Sequence, residues 1–219
     1  MQIEQLLARG DVSFKKMGDT GAAFKERYPN KTPATSVVAL DNWDSVDVQS
    51  VYYDCQNYTA NLFRFEDKIF LRSLYLFDEK VQDRYIKDTC KTFDAVYENL
   101  PIVDTMACPE KDRKQCGLMI DDTAQSFSAE KVADGVLKVS FGDKSVTFFE
   151  DRIEISANQV LLYCNSIKAE AKIIEDCINL AYNGVDYRLR VDGATAGLDD
   201  GNIKICSAEN SITLLPETL

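Results

Sequence analysis

Residues 48–77 read VQSVYYDCQNYTANLFRFEDKIFLRSLYLF. Three extended segments fill this stretch: Val48–Asp54, Tyr58–Glu66 and Ile69–Phe77. They are rich in β-branched and aromatic side chains, which suit a pleated, half-buried surface. Cys55-Gln56-Asn57 and Glu66-Asp67-Lys68 separate them, and connections that short make hairpins. The spacing predicts an antiparallel meander. In the third segment Ile69, Leu71, Ser73, Tyr75 and Phe77 fall on one side, with Phe70, Arg72, Leu74 and Leu76 on the other. Apolar residues on both sides predict a central strand between two packed layers.

The same grammar runs outward from this meander. Ser36–Leu40 precedes it as a further extended segment. Downstream, Asp78–Lys91 loses the alternation and reads as a loop or a short helix. Thr92–Asn99, Pro101–Asp104 and Gly117–Ile120 are extended candidates. Asp134-Gly135, Gly142-Asp143-Lys144, Glu150-Asp151 and Ala157-Asn158 then punctuate Val136–Phe141, Ser145–Glu150, Arg152–Ser156 and Gln159–Cys164. Aspartate, asparagine and glycine supply the positive φ angles of tight hairpin turns. Asn183-Gly184 between Ile178–Tyr182 and Val185–Val191 is the strongest two-residue hairpin signal in the chain. Ala169–Ile174 also suits a helix, and Gly193–Asn202 reads as a polar loop. Ile203–Cys206 and Ser211–Leu215 close the pattern. The expected fold is mainly β, an antiparallel two-layer β-sandwich of about ten strands.

The first 34 residues differ. Gln2–Ala8 has the spacing of a short amphipathic helix, Val12–Met17 alternates like a strand, and Ala22–Tyr28 is helical up to Pro29. Gly18-Asp19-Thr20-Gly21 reads as the turn between the last two. The expected organisation is a small N-terminal α/β appendage, helix–strand–helix, over residues 1–34. Asn30–Ala34 links it to a β-sandwich domain over 35–219.

Composition narrows the partners. The 219 residues carry 36 acidic and 25 basic side chains, a net charge of −11. Nucleic acid needs a basic footprint, so it is not expected as a partner, and neither is an anionic membrane surface. The dispersed acidity predicts a soluble, self-repelling surface. No run approaches the length of apolar residues that a transmembrane helix needs. Met1–Gly10 lacks the basic start and apolar core of a signal peptide, so the chain reads as cytoplasmic. Histidine is absent. Ser-His-Asp and Cys-His catalysis and His-ligated metals are therefore not available to this chain by itself. No cofactor or metal motif is present. The seven cysteines include no C-x-x-C pair, and buried reduced thiols are the expected state. Cys108 and Cys116, flanking a polar loop, leave one disulfide open.

Candidate site residues come from surface chemistry. Asp41-Asn42-Trp43-Asp44 holds the only tryptophan in a polar turn. Trp43 offers an apolar face for a sugar ring, and Asp44 an acceptor for its hydroxyls. The bland alternative is a Trp folded over a sheet edge. Tyr52 and Tyr53 lie near the following turn, where tyrosines line a polar groove or simply pack a strand. Asp19 stands where a strand would hand over to a helix, an edge at which α/β folds gather ligands. It is equally placed to cap that helix. Asp121-Asp122 and Asp199-Asp200 are paired carboxylates that do not match the calcium-loop pattern.

The order IEQLLARG, VSFKKMG, AAFKERYP, NKTPAT resembles the closing β/α step of a (β/α)-barrel enzyme acting on carbohydrate. A β-sandwich that follows such a barrel is also similar to those enzymes. The resemblance implies an upstream (β/α)-barrel domain as a partner and a glycan as ligand. Under it, this chain is a non-catalytic β-sandwich module that binds or shapes a glycan site. Two alternatives stand beside it: an assembly module docking a partner domain or another copy, and a His-free glycoside hydrolase using Asp or Glu.

Overall fold

The computed structural model describes residues 2–41, 47–93, 99–108, 116–123 and 125–219. It divides into two compact units, Met1–Pro33 and Ala34–Leu219. The first holds two helices, α1 (Gln2–Leu7) and α2 (Met17–Arg27). The strand expected at Val12–Met17 is not formed; residues 12–16 carry no regular structure. An alternating segment becomes a strand only when a neighbour takes its backbone hydrogen bonds, and no strand of this unit does so. The Gly18–Gly21 turn is also corrected. Helix α2 starts at Met17 and runs through both glycines, with the Thr20 amide donating to the Lys16 carbonyl at 3.0 Å.

The second unit is the β-sandwich. Among the described residues it has seventeen strands, more than the ten or so expected from sequence. They are β1 (Thr35–Ala39), β2 (Val48–Asp54), β3 (Tyr58–Phe65), β4 (Lys68–Leu76), β5 (Leu100–Asp104), β6 (Leu118–Asp121), β7 (Ser128–Ala133), β8 (Val136–Phe141) and β9 (Lys144–Phe148). There follow β10 (Ile153–Ser156), β11 (Gln159–Leu162), β12 (Glu170–Ile174), β13 (Cys177–Tyr182), β14 (Val185–Asp192), β15 (Thr195–Asp199), β16 (Asn202–Cys206) and β17 (Ile212–Thr218). The first sheet runs β1-β2-β3-β4-β6-β11-β16-β15, with β5 also on β4. The second runs β12-β13-β14-β17-β10-β9-β8-β7. Every pairing is antiparallel.

Two segments take a different form from that expected. Residues 170–174 are a strand, because β13 offers a continuous ladder from Glu170 to Ile174. The polar stretch after Gly193 contains β15, paired to β16 through a two-residue turn at Asp200-Gly201. Both turn residues have positive φ, 48° and 75°, as do Asn183 and Gly184 at 50° and 79°. That is the type I′ geometry whose twist matches paired strands. The strand expected over Thr92–Asn99 lies mostly outside the described residues.

The central strand β4 is reversed halfway along. Register slips between Asn61 and Leu62 on β3, so Asn61 pairs with Ser73 and Leu62 with Leu71. Arg72 is the extra residue of a β-bulge, and a bulge shifts the alternation by one. Ile69 and Leu71 point into the core before it, and Leu74 and Leu76 do so after it. Apolar residues on both nominal sides of this strand therefore serve one core.

That core is a single cluster between the sheets, drawing on Leu62, Leu71 and Leu118 from one side and Phe141, Ile153 and Leu189 from the other. Each fully buried side chain of this size contributes about 1.5–3 kcal/mol. Three tyrosines tie the layers together. Tyr53 of β2 donates to the Gly135 carbonyl at 2.5 Å, and its ring stacks on Phe148. Tyr58 of β3 donates to the Phe149 carbonyl. Tyr187 of β14 crosses the other way to the Pro101 carbonyl at 2.6 Å. Buried phenols without partners are costly, so each clamp fixes the spacing and the register of the two sheets. Cys108 and Cys116 are joined by a disulfide, and Cys90, Cys164, Cys177 and Cys206 are free thiols.

Candidate functional site

The two sheets differ on their outer faces. On the second, the outward positions of β14 and β17 carry charge: Arg188 and Arg190 both pair with Glu217, at 2.7 and 2.9 Å. This is an ordinary solvated face. On the first sheet, the outward positions carry rings. Tyr52 of β2, Phe63 and Phe65 of β3 and Phe70 of β4 lie along adjacent strands. Phe63 stacks with Phe65 at 6.5 Å and meets Phe70 edge-on at 5.7 Å.

Alternation from the inward Leu71 turns Arg72 onto this face, where its guanidinium lies 4.4 Å from the centre of the Phe63 ring, and the bulge then returns Leu74 and Leu76 to the core. The same guanidinium donates to the Tyr52 hydroxyl at 2.6 Å. Tyr52 and Arg72 sit on β2 and β4, and Asn61 of β3 lies on the strand between them. Asn61 is fully buried and donates to the Ser50 hydroxyl at 2.9 Å, but its side-chain oxygen has no hydrogen-bond partner. Unmet buried acceptors are rare in folded proteins. Val48, Phe63, Phe65, Phe70, Arg72 and Met106 enclose a groove of about 290 Å³ here.

A larger cleft, about 710 Å³, adjoins it. Register links the two: Phe65 pairs with Lys68, and Phe70 with Met119, and both partners line the cleft. Its polar walls include Asp121, Asp122, Asp143, Lys144, Asn158 and Gln159, and Ile120, Val160 and Leu161 add apolar surface. The turns after β8 and β10 supply Asp143 and Asn158, which places amides and carboxylates at one end of the sandwich. Asp121 anchors that end. Its buried carboxylate accepts from Lys144 at 2.8 Å and from the Thr123 hydroxyl. Burial pushes the Asp121 carboxyl up, but Lys144 and Thr123 outweigh it, and the group is held below the usual range.

The structure distributes the expected site residues unevenly. Tyr52 is on the ring-bearing face and 38% exposed. Tyr53 is not available to a ligand: strand alternation turns it inward, it is 2% exposed, and its hydroxyl is committed to Gly135. Asp19 lies in the first turn of α2, where no strand hands over to the helix, so the edge that suggested a ligand is absent there. It is not the cap either; Lys16 occupies that position. Trp43 and Asp44 lie outside the described residues. Phe63, Phe65 and Arg72 escaped the sequence reading because alternation does not say which side of a strand faces the core, and both sides of β3 and β4 carry apolar residues. Among the described residues, no cluster of three or more His, Cys, Asp or Glu is placed to hold a metal ion. None of the described helices is long and apolar enough to cross a membrane.

Comparisons with protein-family models, curated proteins and solved structures returned no match.

Proposed function

We propose that the sandwich is a non-catalytic glycan-binding module, and that its site is the outer face of the first sheet with the adjoining cleft. The observation that carries this reading is the contrast between the faces: ion pairs on one, aligned rings with interleaved hydrogen-bonding groups on the other. A sugar offers an apolar C–H face and a rim of hydroxyls. Tyr52 and Phe65 supply flat apolar surface, while Arg72, Asn158 and Gln159 supply donors and acceptors. The cleft mixes three carboxylates with two lysines, which suits a neutral polyhydroxylated ligand better than a phosphate or a polyamine.

The non-catalytic part rests on carboxylate environments. Asp47, Asp121 and Glu217 are each held below the ordinary range, with arginine or lysine as the lowering partner. A general acid in glycoside hydrolysis needs the opposite shift. The proposal also includes a (β/α)-barrel domain as neighbour. In its support, Ile3, Leu7, Phe14, Met17 and Phe24 of the first unit are all exposed and leave an apolar surface for such a domain to cover.

Calorimetric titration against a panel of neutral oligosaccharides tests the reading. Binding is expected, and Tyr52→Ala and Arg72→Ala should each weaken it about tenfold, the equivalent of about 1.4 kcal/mol. Neither should shift the melting temperature by more than a degree or two. Silence across the panel with folded protein refutes the proposal.

A further inference from the structure

Carboxylates outnumber basic side chains in this chain, 36 to 25, so a counterion for an arginine is easily found. The other strand arginines have one. Arg64 of β3 pairs with Asp47, and Arg188 and Arg190 of β14 pair with Glu217, at 2.6, 2.7 and 2.9 Å. Arg72 of β4 does not. Among the described residues its guanidinium has no carboxylate partner, and its hydrogen bond goes to the Tyr52 hydroxyl from one terminal nitrogen. Nε and the other terminal nitrogen keep their donors for something else.

The groove beside Arg72 is apolar apart from two residues. Val48, Phe63, Phe65, Phe70 and Met106 form its walls, Thr105 and Arg72 are its polar members, and none of these lining residues is acidic. The groove is also preformed. Phe70 is buried and Phe63 half-buried, each held by the other's ring. Thr105 and Met106 stand in a short 3-10 turn, in which the Met106 amide donates to the Asp104 carboxylate at 2.9 Å. A guanidinium stacked on a ring, as Arg72 is on Phe63, is already oriented, and it sheds water more readily than an ammonium. A ligand therefore has little to order on entering.

We infer that this groove binds a small monocarboxylate with an apolar body of about one ring. The body packs among Phe63, Phe65, Phe70 and Met106, and the carboxylate accepts from the Arg72 donors that Tyr52 leaves open. Charge complementarity selects this class. An amine would meet the arginine and find no lining carboxylate. A neutral apolar molecule would cover the guanidinium and leave its donors unmet. Inorganic phosphate would leave the rings bare. The volume, about 290 Å³, is at the small end of ligand pockets and suits one ring better than a long acyl chain. The inference goes beyond the glycan reading and needs no sugar to bind, since Asn158 and Gln159 of that reading lie in the cleft.

Phenylacetate and its uncharged isostere phenylacetamide are the probes, titrated into the full chain and followed by the methyl signals of its four methionines. Met106 lines the groove and Met119 the cleft. Phenylacetate should bind saturably, with a dissociation constant of about 1 mM or below, and shift Met106 while Met1 and Met17 stay still. Phenylacetamide should bind about tenfold more weakly. Arg72→Gln should remove that preference. Met106→Ala, at a side chain 75% exposed, should weaken acid and amide alike and leave folding intact. Acid and amide binding equally to the wild-type chain overturns the inference. So does a preference that survives Arg72→Gln, or a titration that leaves Met106 unshifted. A neutral oligosaccharide in the cleft is read at Met119, so the failure of either reading shows separately.

Discussion

Removing the Tyr58 hydroxyl is the most direct test of how the two sheets are held. Tyr58→Phe keeps the ring in the core and deletes only the donor. The Phe149 carbonyl then loses the tyrosine's hydrogen bond. The Arg152 carbonyl, 3.1 Å from the same hydroxyl, keeps the Phe149 amide as a donor at 2.9 Å. The variant therefore strands one partly buried acceptor, which costs about 1–3 kcal/mol. For a domain of this size each kcal/mol moves the melting temperature about 2–4 °C, so a fall of roughly 4–8 °C is expected for a mid-range cost of about 2 kcal/mol. Urea denaturation followed by circular dichroism should give the same loss with an unchanged m-value. Titration provides a second readout. Burial raises the Tyr58, Tyr53 and Tyr187 phenols well above their ordinary value. A phenol that ionises less readily folded than unfolded contributes stability that is complete below about pH 10 and is lost as pH rises further. Tyrosinate absorbance should thus show these three phenols silent until the protein unfolds in alkali. A Tyr58→Phe variant within about 0.3 kcal/mol of wild type would refute the clamp argument.

Other perturbations follow from the same geometry. Gly117 has a φ of +85°, and a Cβ there would lie 2.6 Å from the Leu71 carbonyl oxygen. Gly117→Ala should cost about 3 kcal/mol or more in denaturant unfolding, whereas Gly184→Ala, with open space around it, should cost only about 1 kcal/mol of left-handed strain. Asp121→Asn should lose about 1–2 kcal/mol at neutral pH, with Lys144 one-third exposed and so partly screened. Because the Asp121 carboxyl is held low, its contribution is present above about pH 4 and fades as pH falls through its folded value. Stability curves of wild type and variant should therefore converge in acid. Reducing the Cys108–Cys116 disulfide, which spans a sequence separation of 8, should cost about 2.5 kcal/mol on the loop-entropy estimate, seen as a lower melting temperature in dithiothreitol.

Much of the sandwich could be read in the chain because its cause is local. Alternation in Val48–Asp54, Val136–Phe141 and Val185–Val191 fixes which residues share a side of a strand, and Asn183-Gly184 fixes a turn by its φ angles. Neither depends on distant residues. Alternation cannot say whether a partner exists. Val12–Met17 alternates and forms no strand, while Ala169–Ile174 suits a helix and becomes a strand from Glu170 because β13 lies alongside. Nor can it say which side is the core. Adjacent Tyr52 and Tyr53 look equivalent in sequence, and pairing with β3 sends one out to Arg72 and the other in to Gly135. The tertiary structure alone decided the candidate site, because it made the Leu71 side of β4 the inner one, which left Arg72 outside over Phe63, while a one-residue slip opposite Asn61 turned Leu74 and Leu76 back to the core. That slip reflects the register of three strands packed on one core, a property that none of their sequences holds separately.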